Sequence, residues 1–232
     1  MARISDALEN RCLICGLMMN SYSLHTCPST ILHKWPSFDE HEALTFGPWG
    51  RKVVLLNGPP GCGKDTIGRI LCDLGMCEML AFKGKLFDIA LNVSGISKED
   101  WFERYNDREL KELPWERIGD LSQRQFLIKI SEEWLKPTFD DGYFGRAAAE
   151  AIDTLDSEKD VVFTDSGFQK ETDVLIAHGY EVHVIHLRRE GYSFDGDSRN
   201  YLTGYDRTYD IELINGEPYV AAGEIIKLVW GK

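Results

Sequence analysis

The chain has 232 residues, 43% hydrophobic and 28% charged, with a formal net charge of −12. That length supports one well-buried core with a small appendage, and no stretch approaches the roughly 18 uncharged apolar residues of a membrane span. The acidity argues against a broad basic surface for duplex DNA, because phosphate neutralisation supplies most non-specific affinity, but it leaves room for a local basic groove. Arg3, Asp6, Glu9 and Arg11 crowd the first residues, so the N-terminus does not read as a secretory signal. A reducing cytoplasm is then the expected location, with the six cysteines as thiols rather than disulfides.

The chain divides near residue 50, where "FGPWG" (46–50) forms a turn-rich junction. Residues 1–50 hold three cysteines and three histidines with little periodicity. Cys12 and Cys15 have the C-x2-C spacing of a zinc knuckle, and Cys27 with His25 would complete a tetrahedral set. The second half of that set is irregularly spaced, and His33 is a further candidate; the alternative is an extension with incidental cysteines.

From Lys52 onward strands and helices take turns. "KVVLLN" (52–57) reads as a buried strand and "KDTIGRILCDLG" (64–75) as a helix with Ile67, Ile70, Leu71 and Leu74 on one face, stopping near Gly75. "CEMLAF" (77–82) reads as a short strand and "GKLFDIALNVSG" (84–95) as a helix. Residues 98–118 are a charged segment, helix followed by a loop around Pro114. "SQRQFLIKISEEWLKP" (122–137) is an amphipathic helix capped by Ser122 and stopped by Pro137. "YFGRAAAEAIDTL" (143–155) is another helix, "DVVFTD" (160–165) a buried strand, "KETDVLIAHG" (170–179) a helix ending in glycine, and "YEVHVIHLRR" (180–189) an alternating strand. This order predicts an α/β fold with a mostly parallel sheet covered on both faces. Cys72 and Cys77 read as small core residues.

Between the first strand and its helix, Gly58, Gly61, Gly63 and Lys64 satisfy G-x-x-x-x-G-K, with Cys62 at a variable position. Glycines let backbone amides turn inward as a nest for phosphate oxygens, and the helix N-terminus adds a positive dipole end. Lys64 supplies an ammonium that can follow a moving phosphoryl group. Where such loops place a hydroxyl after the lysine, this one has Asp65, with Thr66 one place later. Asp65 can serve Mg²⁺, face the acceptor, or simply occupy the favourable first helical turn. Thr66 can bond a nucleotide phosphate. Asp165 closes a strand at its carboxyl end, where ligands bind in such sheets, and can hold Mg²⁺, position an attacking oxygen or cap a helix. Glu171, in the next helix, reads as readily solvated as functional.

"GPPGCGKDT" resembles the G-K-D loop of phage P-loop nucleotide kinases, a group that includes deoxynucleoside monophosphate kinases. "AFKGKLFDIA" (81–90), "DRELKE" (107–112), "LSQRQFLIKISEEWLKPTF" (121–139) and "VVFTDSGFQKE" (161–171) extend the resemblance over roughly residues 51–200. It implies a three-layer P-loop kinase domain over residues 51–232, using ATP and Mg²⁺ on a deoxypyrimidine acceptor. Among the basic candidates Lys83, Lys85, Arg108, Lys111, Arg124, Arg188, Arg189 and Arg199, it favours Arg108, Lys111 and Arg124 for the acceptor side. "HLRREGYSFDGDSRNYL" (186–202) looks like an arginine-bearing lid that excludes water. Monophosphate kinases usually carry an arginine shortly after the strand-ending aspartate; here Ser166 and Gly167 stand there. That difference favours the related phage kinases that phosphorylate 5-hydroxymethyl-deoxyuridine within DNA, for thymidine hypermodification. The alternatives are a free deoxynucleoside monophosphate kinase and a nucleotide-dependent binding module without transfer.

Overall fold

A computed structural model describes residues 50–155 and 159–232. The Cys/His-rich extension, with Cys12, Cys15, His25 and Cys27, lies outside the described residues, and so does the zinc reading attached to it. Five strands form one sheet: β1 Lys52–Asn57, β2 Cys77–Leu80, β3 Asp160–Phe163, β4 Glu181–Arg188 and β5 Thr208–Glu212. Their order is β2-β3-β1-β4-β5, and every pair is parallel. Among the described residues, seven α-helices of six residues or more accompany them: α1 Lys64–Asp73, α2 Gly84–Ser94, α3 Lys98–Asn106, α4 Gln123–Ile128, α5 Tyr143–Asp153, α6 Gln169–Ala177 and α7 Pro218–Trp230. The α/β expectation holds.

β1 sits inside the sheet, and its two-residue period sorts the core. Val54 and Leu56 pack with Ile67, Ile70 and Leu71 of α1 and with Ile225 and Val229 of α7. Val53 and Leu55 face the other way, into Phe163, Leu175, Ala148 and Ile152. A third cluster gathers α2, α3 and α4 around the fully buried Trp101, with Phe87, Leu127, Ile130 and Phe144.

Several expectations are corrected. Leu74 is exposed rather than on the core face, because α1 ends at Asp73 and Gly75 turns the chain at φ +74°. β4 does not alternate between core and solvent. It lies between β1 and β5, so His183 and His186 are buried with the apolar residues beside them. His183 Nε2 bonds Glu181 at 2.8 Å and His186 Nε2 bonds the Leu202 carbonyl at 2.7 Å. Pro137 does not stop its helix. After the Ser122 capping box, α4 widens into a π-helical stretch over Lys129–Leu135 and continues as Lys136–Thr138. The amide of Lys136 reaches back five residues to the Ser131 carbonyl, a pairing that shifts the carbonyls against which the proline ring would clash. Sequence reading missed β5 and α7. Pro218 in the first turn of α7 and Gly231 just past its end, at φ +68°, are the start and stop signals for that helix.

β1 ends in a side chain that ties the sheet to the segment after β4. Asn57 is fully buried; its Nδ2 donates to the Asn200 carbonyl at 3.1 Å and its Oδ1 accepts the Leu202 amide at 2.7 Å. Asn57→Ala leaves both backbone groups unpaired and is expected to cost about 1–3 kcal/mol, read as a lower urea midpoint at constant slope. An unchanged midpoint would show that water replaces the side chain.

Candidate phosphate-binding and transfer site

The loop from Gly58 to Lys64 is shaped by close approach. A Cβ at Gly58 would lie 2.7 Å from the Leu187 carbonyl oxygen, so only glycine lets β1 run out beside β4. Gly61 and Gly63 adopt φ +75° and +121°, the left-handed geometry in which successive amides form a concave nest. Lys64 is only 7% exposed; its Nζ donates to the carbonyls of Gly58 and Pro59 at 2.6 and 2.7 Å. Burial lowers its pKa, and Arg199 acts in the same direction, while Cys62, Asp65 and Asp197 oppose them. Cys62 contributes backbone rather than thiol: its side chain is buried in the core, and its carbonyl accepts Arg189 Nη1 at 3.2 Å.

Asp65 opens α1, exposed, and its Oδ1 accepts the Thr164 hydroxyl at 2.6 Å, which ties α1 to the end of β3. Thr66 beside it is also exposed. Asp165 follows β3. Its Oδ1 accepts the Phe82 amide at 3.1 Å and its Oδ2 the Lys83 amide at 3.2 Å, so its carboxylate organises the turn into α2.

Arg199 meets Asp197 fork to fork, Nε to Oδ1 at 2.9 Å and Nη2 to Oδ2 at 2.7 Å. Its stem lies across Gly167, where a Cβ would come within 2.6 Å of Arg199 Cβ. Asp165 and Glu171 also hold Arg199 in its charged form. The cation that Ser166 and Gly167 fail to supply therefore arrives from the segment after β4, through the space that glycine leaves. This weakens the argument that a missing arginine disfavours an anionic acceptor.

The remaining basic candidates are spread out. Arg188 pairs with Asp210 at 2.6 Å, lies 4.6 Å over the Tyr201 ring, and lines a cavity of about 610 Å³ with Pro59, Tyr192, Phe194 and Arg199. Arg189 also bonds Asn215 Oδ1 at 2.8 Å, which joins the phosphate loop to the residues between β5 and α7. Arg124 is exposed, 3.7 Å from Glu112, and its charge reaches Asp197. Lys111 lies 5.6 Å over Tyr105, and Arg108 is exposed on the turn after α3, without a described contact to the loop.

One residue here escaped sequence reading, and sequence leaves another open between a solvated and a functional role. Lys136, at the end of the π-helical stretch, pairs with Glu132 at 2.7 Å and lies 4.7 Å over the Phe168 ring. Glu171, on the first turn of α6, is 5% exposed, and its Oε2 has no hydrogen-bond partner among the described residues. Burial, reinforced by Asp165 and by Glu132, pushes its pKa up to about 8 against the opposing charges of Lys136 and Arg199. Its spacing from Val174 and Leu175 at i+3 and i+4 is the signal that puts it on the inward face.

No family model and no curated protein matches the chain. Among solved structures, it is similar to a gluconokinase from Sinorhizobium meliloti 1021, at 11% identity and a TM-score of 0.38, over 78% of this chain and 96% of that one. No helix among the described residues is long and apolar enough to cross a membrane.

The folded chain holds the Glu171 proton up to about pH 8, whereas the unfolded chain releases it near 4.5. Stability contributed by this group therefore falls as pH rises between those values. Glu171→Gln is expected to abolish that decline and to exceed wild-type stability at pH 8 by on the order of 3 kcal/mol. Melting curves at pH 5 and pH 8 check this; parallel pH slopes for the two proteins would contradict it.

Proposed function

We propose that the protein is an ATP-dependent kinase that phosphorylates the 5-hydroxymethyl group of 5-hydroxymethyl-deoxyuridine in DNA. The observation that carries the kinase reading is the buried Lys64 ammonium, held by two carbonyls of a glycine nest at the head of α1. Triphosphate oxygens are stronger partners for that ammonium than neutral carbonyls, so Lys64 is poised to exchange one set for the other. Amides of residues 61–66 hold the phosphates, and Arg199 offsets charge that develops on the transferred group.

Mg²⁺ fits the residues present. Asp65 and Thr66 offer exposed hard oxygens at the loop, and Mg²⁺ beside phosphates takes only one or two carboxylates. The described residues contain no group of three or more acidic, histidine or cysteine side chains suited to a metal. When bound, Mg²⁺ would neutralise charge between the outer phosphates. Asp165, already engaged by two amides, keeps its remaining lone pairs for orienting an acceptor.

The acidic surroundings of Asp165 and Asp197 favour a neutral hydroxyl as acceptor. A second reading, a free deoxynucleoside monophosphate as acceptor, draws on Arg199 over Gly167 and on Lys136 near Glu171, which put cations where a second phosphate would sit. Labelled ATP, offered with an oligonucleotide containing 5-hydroxymethyluracil or with each free monophosphate, separates the two. Label in the oligonucleotide is expected; label in free nucleotide alone would establish the second reading. ATP binding without transfer to either would leave a nucleotide-dependent binding module. Lys64→Ala is expected to lower transfer by about 10²–10³-fold, and full turnover in that variant would remove the basis of the kinase reading.

A further inference from the structure

We propose that Glu171 is the general base of the transfer, taking the proton of the acceptor hydroxyl as that oxygen attacks the terminal phosphorus of ATP. This rests on the kinase reading above. It is carried by a comparison of the carboxyls around Lys64 and Arg199. Asp65 accepts the Thr164 hydroxyl, Asp165 accepts two backbone amides, and Asp197 accepts the Arg199 fork. Each of these carboxylates has lone pairs already committed to a donor. Glu171 is the member of this group with a buried oxygen that lacks any partner among the described residues.

Its backbone is firmly placed. A Cβ on Gly145 of α5 would come within 2.9 Å of the Glu171 carbonyl oxygen, so close helix packing fixes the turn from which the carboxyl projects. The charged groups that face it are Asp165 after β3, Glu132 and Lys136 at the end of the α4 helix, and Arg199 from the segment after β4. The two carboxyls and the burial strengthen it as a base, and the two cations keep its ionised form within reach at working pH. In the step itself the acceptor oxygen bonds to phosphorus, the phosphorus–oxygen bond to ADP breaks, and ADP leaves with the electron pair. The hydroxyl proton passes to Glu171 and then to solvent.

The test compares wild type with Glu171→Gln and Glu171→Asp, using ATP and the oligonucleotide containing 5-hydroxymethyluracil. In Glu171→Gln, kcat is expected to fall about 10²–10³-fold. Both KM values should stay within about threefold, and ATP binding measured by calorimetry should persist. The wild-type rate should rise with pH through the ionisation of one group; Glu171→Asp should keep that rise at a reduced rate, and Glu171→Gln should lose it. Transfer by Glu171→Gln within tenfold of wild type overturns the inference, as does the same pH rise in Glu171→Gln, or a change confined to KM. Transfer to free monophosphates alone also overturns it, since an ionised phosphate oxygen has no proton to give up. Absence of any transfer by wild type sinks the kinase reading itself, whereas transfer by wild type with an unimpaired Glu171→Gln sinks only the base.

Discussion

An ammonium almost cut off from water has to be surrounded by oxygen, and at Lys64 two loop carbonyls meet that need. The constraint reaches outward in both directions. The carbonyls can turn toward Nζ only because the loop passes through left-handed glycines, and the loop can start where it does only because Gly58 lets β1 pass close beside the Leu187 carbonyl. β1 in turn holds its line because both of its faces are packed, one against α1 and α7 and the other against the α5 and α6 side of the core. Asn57 carries the same rigidity one residue further, into the segment that bears Arg199.

Around that segment the charges are arranged unevenly. Arg199 is shared among Asp197, Asp165 and Glu171, but its guanidinium fork is spent on Asp197. Lys136 is similarly committed to Glu132. Glu171 is left with electrostatic support from both cations and a hydrogen bond from neither, which is why burial dominates its protonation. A carboxyl in that condition costs stability, and such costs persist at sites where chemistry uses them. The π-helical stretch belongs to the same arrangement: it ends where Lys136 lies against Phe168, three residues before Glu171.

The nest of residues 58–66 was legible from sequence because its chemistry is local. Glycine spacing, a β-branched run before it and a helical period after it all lie within about twenty residues, and each is set by backbone sterics rather than by distant partners. The alternation of strands and helices was legible for the same reason, since parallel strands need crossovers and crossovers leave a period in the chain. β5 and α7 went unread because a half-exposed five-residue strand has weak periodicity, and their burial comes from neighbours far away in sequence. β4 was read as an alternating strand, since burial on both faces follows from strand order alone.

By itself, then, the sequence determined the glycine nest, the α/β class and the sheet's core strand, because short-range geometry dictates them. Which carboxyl is bare and which is satisfied was decided by tertiary structure. Asp65 finds Thr164, Asp165 finds the amides of residues 82 and 83, Arg199 fills the space at Gly167, and Glu171 Oε2 finds no partner among the described residues. Each of the first three outcomes depends on groups at least 32 positions apart being brought within a hydrogen bond or a van der Waals contact, as Gly167 and Arg199 show. Hydrogen bonding and desolvation act over a few ångströms in space, and no one-dimensional spacing records them.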